Sequence, residues 1–156
     1  MEHEVAHRVE REVAIRAGSA TLSGSVSVPE NARGIVLFAH GSGSSRHSPR
    51  NVFVARALQD AGLGTLLFDL LTSAEENIDL YTREHRFDIA LLAERMVDAT
   101  HWLDTQPELR DLDVGYFGAA RAALPRWLQR RSSEIASARS SRAGAVRTSP
   151  VAPCRT

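Results

Sequence analysis

The sequence predicts an α/β fold with three layers, in which a β-hairpin precedes a parallel βαβαβ core. Three largely apolar runs carry this prediction, at residues 34–39, 64–70 and 112–117. Because apolar side chains follow one another there instead of alternating with polar ones, the runs are typical of strands covered on both faces by helices. Segments with helical periodicity separate the runs, as expected for βαβ units.

Two segments near the start of the chain predict the antiparallel hairpin, at an edge of the sheet. Residues 12–17 and 20–28 alternate apolar with polar side chains, which is typical of strands buried on one face. Gly18 and Ser19 between them are turn-forming residues.

Two helices are predicted between the apolar runs. Residues 49–61 carry apolar side chains at helical spacing, and Gly62 follows as a natural end. Residues 86–105 have the strongest amphipathic pattern in the chain, with Arg95 among the charged side chains assigned to the exposed side. The acidic segment 72–81 is predicted to be mostly loop with a short helical turn.

The composition changes after Gly118. Residues 121–156 are rich in arginine, serine and alanine and contain a single acid, Glu134. We therefore assign residues 1–120 to the folded domain and residues 121–156 to a disordered or only briefly helical tail, since the tail has too little apolar surface to offset its ordering entropy. Scattered arginines without aromatic neighbours favour a solvated end over nucleic-acid or lipid recognition.

Length and composition exclude several classes of protein. The chain has 156 residues, a formal net charge of zero and a single cysteine, Cys154. These values predict one domain without disulfides and give no indication of a nucleic-acid partner. The charged first residues lack a secretion signal, and no apolar run approaches the roughly 18 residues of a membrane span. We expect a cytoplasmic protein.

Residues 12–118 resemble the α/β-hydrolase superfamily, specifically its dienelactone-hydrolase-like branch. The resemblance is carried by GIVLFAHGSGSSRHSPRN (34–51), GTLLFDLLT (64–72), the long amphipathic helix and LDVGYFG (112–118). It implies a partial α/β-hydrolase fold, small ester or lactone substrates in intact relatives, and no cofactor. It also implies a serine or cysteine nucleophile in a G-x-S-x-G turn directly after residues 112–117.

The expected nucleophile turn departs from this pattern. Residues 118–122 read GAARA, so that Ala120 stands at the nucleophile position. No histidine follows His101 and no aspartate follows Asp113, so the later members of the triad are missing as well. The departure coincides with the change in composition, and one lost base in the reading frame explains both. We expect a truncated, frameshifted chain with little or no catalytic activity.

The loop after the first apolar run is the remaining part of such a site. By resemblance, Gly41 and Ser42 are candidates for an oxyanion-hole amide. From the residue types alone, a serine–histidine–aspartate arrangement is the alternative, with candidates at Ser42, Ser44, Ser45, His40, His47 and Asp69. We favour structural functions for these residues, in which the histidine braces the loop, the serines form turns and caps, and the aspartate caps a strand end.

Metal and phosphate sites are not predicted. The histidines are either far apart in sequence or close to the charged N-terminus, and the GSGSS run lacks the G-K-[ST] ending of a P-loop. The alternative to an inactive hydrolase is a non-catalytic binding module that associates with itself through an exposed sheet edge.

Overall fold

The computed structural model describes residues 8–39, 45–118 and 124–129. These residues form a five-stranded sheet in the order β1-β2-β4-β3-β5. The strands are β1 (Arg8–Ala17), β2 (Ala20–Pro29), β3 (Gly34–Phe38), β4 (Gly64–Phe68) and β5 (Asp113–Phe117). The helices are α1 (Pro49–Asp60), α2 (Ser73–Thr82) and α3 (Ile89–Asp104), and a 3-10 turn (His85–Phe87) precedes α3.

The predicted hairpin is confirmed. Strands β1 and β2 pair antiparallel along their whole length, from Arg8 opposite Pro29 to Ala17 opposite Ala20. Gly18 takes a positive φ of 59° in the turn, a conformation that glycine adopts at low cost. Strand β2 also pairs antiparallel with β4, which joins the hairpin to the rest of the sheet.

The parallel core is confirmed as well. Strand β3 lies between β4 and β5 and pairs parallel with both. Gly34 opens β3 at a close approach, because a Cβ at this position would lie 2.9 Å from the Asp113 carbonyl oxygen. The start of the β3–β5 ladder therefore requires the absence of a side chain.

The sheet separates two apolar layers, which confirms the three-layer arrangement. Alternate residues of β3 and β4 belong to different clusters, since Leu37 and Leu66 pack in one and Phe38 and Leu67 in the other. The larger cluster lies under α3, which contributes Leu92, Met96, Ala99 and Leu103. The smaller cluster lies under α1, which contributes Ala55, Val52 and Leu58.

Residues Ser73–Thr82 form a complete helix, so the prediction of a mostly looped segment is wrong. A capping box starts this helix: the Thr72 hydroxyl accepts from the Glu75 backbone N–H, and the Glu75 carboxylate accepts from the Thr72 backbone N–H at 2.8 Å. Such a cap satisfies two backbone donors that would otherwise be unpaired. Glu75 also binds Arg95, and this tertiary contact supports a helix that buries little apolar surface of its own.

Arg95 was predicted to be exposed and is instead 4% exposed. The guanidinium is buried against its acceptors, the Glu75 carboxylate and the Leu70 carbonyl oxygen, each at 2.6 Å. A charged side chain enters a protein interior only when it is paired in this way.

Residues 126–129 form one helical turn beyond the sheet. Leu124 and Leu128 are buried in the larger cluster, and the ring of Trp127 stacks on that of His101 with centroids 6.2 Å apart. The rest of the predicted tail lies outside the described residues. Within the described ranges, no helix has the length and apolar character needed to cross a membrane.

Candidate functional site

The candidate site lies where β3, β4 and β5 end, at the carboxyl edge of the parallel strands. This edge is where open α/β sheets bind their ligands. The ends of β3 and β5 are joined directly, since the Ala39 backbone N–H donates to the Phe117 carbonyl oxygen at 2.7 Å. The rings of Phe38 and Phe117 add a tilted contact with centroids 5.2 Å apart. The loop that follows β3 therefore starts beside the end of β5.

Several predicted site residues fall outside the part of the chain that the structure describes. These are His40, Gly41, Ser42 and Ser44 in the loop after β3, and Ala120 after β5. The functions assigned to them from the sequence stay predictions.

Asp69 lies directly after β4 and holds the segment that returns from the loop. Both of its carboxylate oxygens accept hydrogen bonds from Arg46, Oδ1 from the backbone N–H at 2.9 Å and Oδ2 from Nε at 3.1 Å. The same guanidinium pairs with Glu12 of the hairpin. The Asp69 backbone N–H donates to the Ser23 carbonyl oxygen at 2.9 Å. These contacts connect the hairpin, the end of β4 and the approach to α1.

His47 belongs to a tight turn in front of α1. Its backbone N–H donates to the Ser45 hydroxyl at 3.2 Å, and the Ser48 backbone N–H donates to the Ser45 carbonyl oxygen at 3.0 Å. The Asn51 side chain also donates to that carbonyl oxygen, at 3.4 Å. Asp69 and the His47 turn therefore lie at the same edge of the sheet, where Arg46 connects them. Nothing in the sequence indicated this function for Arg46.

A partly buried ion pair fixes the segment that leaves β4. Arg95 of α3 donates from Nη1 and Nη2 to the two carboxylate oxygens of Glu75, each at 2.6 Å. The hydrogen bond from Arg95 lowers the pKa of Glu75 from 4.5 to about 2, although burial acts in the opposite direction. Sequence reasoning missed this pair, but the Thr72-x-x-Glu75 spacing is a capping-box signal that predicts the start of α2.

A second carboxylate organises the turn after α2. Asp79 is 2% exposed and accepts from the backbone N–H groups of His85 and Arg86, at 2.8 and 3.1 Å. Burial raises the pKa of Asp79, but the hydrogen bonds from Arg86 and His85 outweigh it and hold the pKa below its ordinary value.

The described residues contain no group of three or more His, Cys, Asp or Glu side chains suited to a metal ion.

No protein-family model matches the chain. Over 114 residues it is 55% identical to a putative phosphoribosyl transferase of Mycobacterium tuberculosis, found under that name in two strains. The match covers 73% of this chain and 25% of the relative. The chain thus spans about a quarter of the length of the curated relatives that it matches.

Solved structures match over a similar share of the chain. Dienelactone hydrolase from Anabaena variabilis is 59% identical with a TM-score of 0.70, over 72% of this chain and 52% of that one. A cold-adapted esterase from an Arctic intertidal metagenomic library is 16% identical with a TM-score of 0.56, over 75% of this chain and 52% of that one. At this low identity the esterase shows the fold alone. The predicted resemblance to dienelactone-hydrolase-like α/β-hydrolases is confirmed.

Proposed function

We propose that this chain descends from an α/β-hydrolase that cleaves small esters or lactones, and that the chain itself is catalytically inactive. The observation that supports the hydrolase part is the 59% identity to Anabaena dienelactone hydrolase. The sequence supports the proposed loss of activity, because the nucleophile and the histidine base are missing from it.

Hydrolysis of this kind needs a nucleophile, a base oriented by a carboxylate, and amide donors for the oxyanion. Gly41 and Ser42 offer one donor in the loop after β3. Ala120, at the nucleophile position, has neither an oxygen nor a sulfur in its side chain, and residues 121–156 contain no histidine. The chain therefore supplies part of an oxyanion hole but lacks the nucleophile and the histidine base that would act beside it.

The name of the mycobacterial relatives suggests a different reaction, phosphoribosyl transfer. This chain matches only 25% of those proteins, so the activity in their name can belong to the other three quarters of their sequence. The quarter that is shared has the fold of a hydrolase, and we therefore assign the hydrolase ancestry to this chain.

We attribute the missing nucleophile turn to a frameshift after Gly118. With permitted codons, one base restored after the Ala119 codon makes residues 118–121 read Gly-Ala-Ser-Thr. Sequencing of the coding DNA tests this: the neighbouring frame should encode a G-x-S-x-G turn, and its absence there contradicts the frameshift.

A chromogenic short-chain ester such as p-nitrophenyl acetate tests the proposed loss of catalysis. We expect the full chain to hydrolyse it no faster than the buffer does, since loss of the nucleophile removes several orders of magnitude in rate. Activity that disappears in Ser42→Ala and persists in Ala119→Gly would contradict the proposal, because it would place the nucleophile in the loop after β3.

The alternative is self-association through the outer edge of β5. In the described part of the sheet β5 pairs only with β3, and an unpaired edge is a template for another strand. Light scattering after size exclusion, across a range of concentrations, tests this alternative. A mass above that of the monomer that falls on dilution supports it, and a monomer at every concentration excludes it.

A further inference from the structure

A cavity of about 500 Å³ lies between the β1–β2 hairpin and α1, on the sheet face opposite α3. Its floor consists of two neighbouring rows of side chains, each of which crosses β1, β2 and β4. The rows are Glu12, Ser25 and Leu67, and Glu10, Ser27 and Thr65. Its volume lies in the range of small-molecule sites.

The Ser27 hydroxyl in this floor has no hydrogen-bond partner among the described residues, although Ser27 is only 4% exposed. Its polar neighbours are engaged. The Ser25 hydroxyl donates to Glu10 at 3.3 Å, and Gln59 Nε2 of α1 donates to the Thr65 hydroxyl at 2.7 Å. A buried hydroxyl without a partner is unfavourable, and rotation of the Ser27 side chain toward an occupant of the cavity that bonds to it removes this cost.

The charges around the cavity balance. Glu10 and Glu12 are opposed by Arg46 and Arg56, and the Arg46 guanidinium pairs directly with Glu12. The two carboxylates would repel an anionic ligand, and the two guanidinium groups would repel a cationic one. The lining therefore favours a ligand that is neutral overall.

One side of the cavity is apolar and the other offers donors and acceptors. Val52, Ala55 and Leu67 supply the apolar side, where α1 meets β4. The hydroxyl of Ser27 and the carboxylate of Glu10 lie on the hairpin side. A ring with C–H groups on its face and hydroxyls at its edge matches both surfaces.

We propose that this cavity binds a neutral polyhydroxylated molecule of the monosaccharide class. Ligand hydroxyls bond to the Ser27 hydroxyl and the Glu10 carboxylate, and the C–H face of the ring packs on Leu67 and Val52. His47, one of the predicted loop candidates, also lines the cavity. The proposal does not rest on the hydrolase ancestry, since none of the residues assigned here to the ligand belongs to the predicted catalytic set.

Saturation-transfer NMR on the full chain tests the proposal, with D-glucose, D-ribose and myo-inositol as probes. Cyclohexanol is the matched ring with a single hydroxyl. Ser27→Ala removes the unpartnered hydroxyl, and Glu10→Gln keeps the shape of the side chain while removing its charge. Ser23→Ala is the control, because Ser23 lies on the same strand and face but outside the cavity, and its side chain is exposed.

We expect at least one polyol to bind more strongly than cyclohexanol. Ser27→Ala should weaken that binding by about fivefold or more, the usual effect of one lost hydrogen bond, and Ser23→Ala should leave it unchanged. Ser27→Ala is expected to fold, since it deletes a group without a partner. The proposal is overturned if none of the three polyols binds, if cyclohexanol binds equally well, or if Ser27→Ala and Ser23→Ala behave alike.

Discussion

The Arg95 guanidinium, buried in α3, donates to both carboxylate oxygens of Glu75 at 2.6 Å and to the Leu70 carbonyl oxygen at the same distance. One side chain thus connects α3 to the first turn of α2 and to the segment that leaves β4. A change at either member of the pair should therefore affect all three parts of the chain.

Glu75→Gln should lower the free energy of unfolding by about 2–3 kcal/mol, because it leaves the buried guanidinium without its counter-charge. Chemical denaturation measures this change. Glu94→Gln, an exposed substitution next to Arg95 in the same helix, should have an effect of less than about 0.5 kcal/mol. Equal effects of the two variants would show that the pair adds nothing to stability.

The same pair predicts a pH dependence. Because the pKa of Glu75 falls from 4.5 to about 2 on folding, its contribution is fully present above pH 4.5 and is lost as the pH falls toward 2. Unfolding free energies measured between about pH 6 and pH 2 should decrease less steeply in Glu75→Gln than in the wild type. Part of the slope should remain in the variant, since the pKa of Asp79 is also lowered. Parallel curves would contradict the prediction.

Asp69→Ala should loosen the segment in front of α1. The substitution removes the acceptor of the Arg46 backbone N–H, so we expect hydrogen exchange at that amide to accelerate by about tenfold or more, as for loss of about 1.4 kcal/mol. Asp111→Ala is the matched control, because the Asp111–Arg110 pair spans 3.9 Å on the exposed surface. Unchanged exchange at Arg46 in Asp69→Ala would contradict the positioning function of Asp69.

Gly34→Ala should destabilise the protein by about 1–3 kcal/mol, because the new methyl group would lie 2.9 Å from the Asp113 carbonyl oxygen. Gly115→Ala adds the same group to the partner strand, where the nearest atom is 3.7 Å away. Thermal unfolding should therefore show a clear decrease in Tm for Gly34→Ala and a smaller change for Gly115→Ala. The reverse order would refute the close-approach argument.

The sheet was predictable because its signals are local. Each parallel strand is a run of apolar residues, and the hairpin alternates on either side of Gly18, so strand type and pairing follow from periodicity. Helix α2 was missed because its acidic sequence buries little apolar surface: Ile78, Leu80 and Tyr81 are all exposed. Its stability comes from the Thr72–Glu75 cap and from Arg95, which lies far away in the sequence.

The candidate site was predictable only in part. The position of the loop after β3 follows from the strand that precedes it, and so does that of Asp69 after β4. Arg46, which connects the two, gave no signal, because one arginine in a polar loop is ordinarily solvated. Ser27 shows the same limit: alternation in β2 predicts which face it lies on, but not that α1 encloses that face.

The strand order β1-β2-β4-β3-β5 has a consequence for the folding pathway. The hairpin needs only neighbouring residues, but β2 joins the sheet by pairing Gly24 with Phe68, and β3 and α1 lie between these residues in the chain. Closing such a long loop costs more entropy than closing a hairpin and slows folding. During synthesis the edge of β2 that faces away from β1 therefore stays unpaired until β4 has been made. In that interval this edge can pair with a wrong strand.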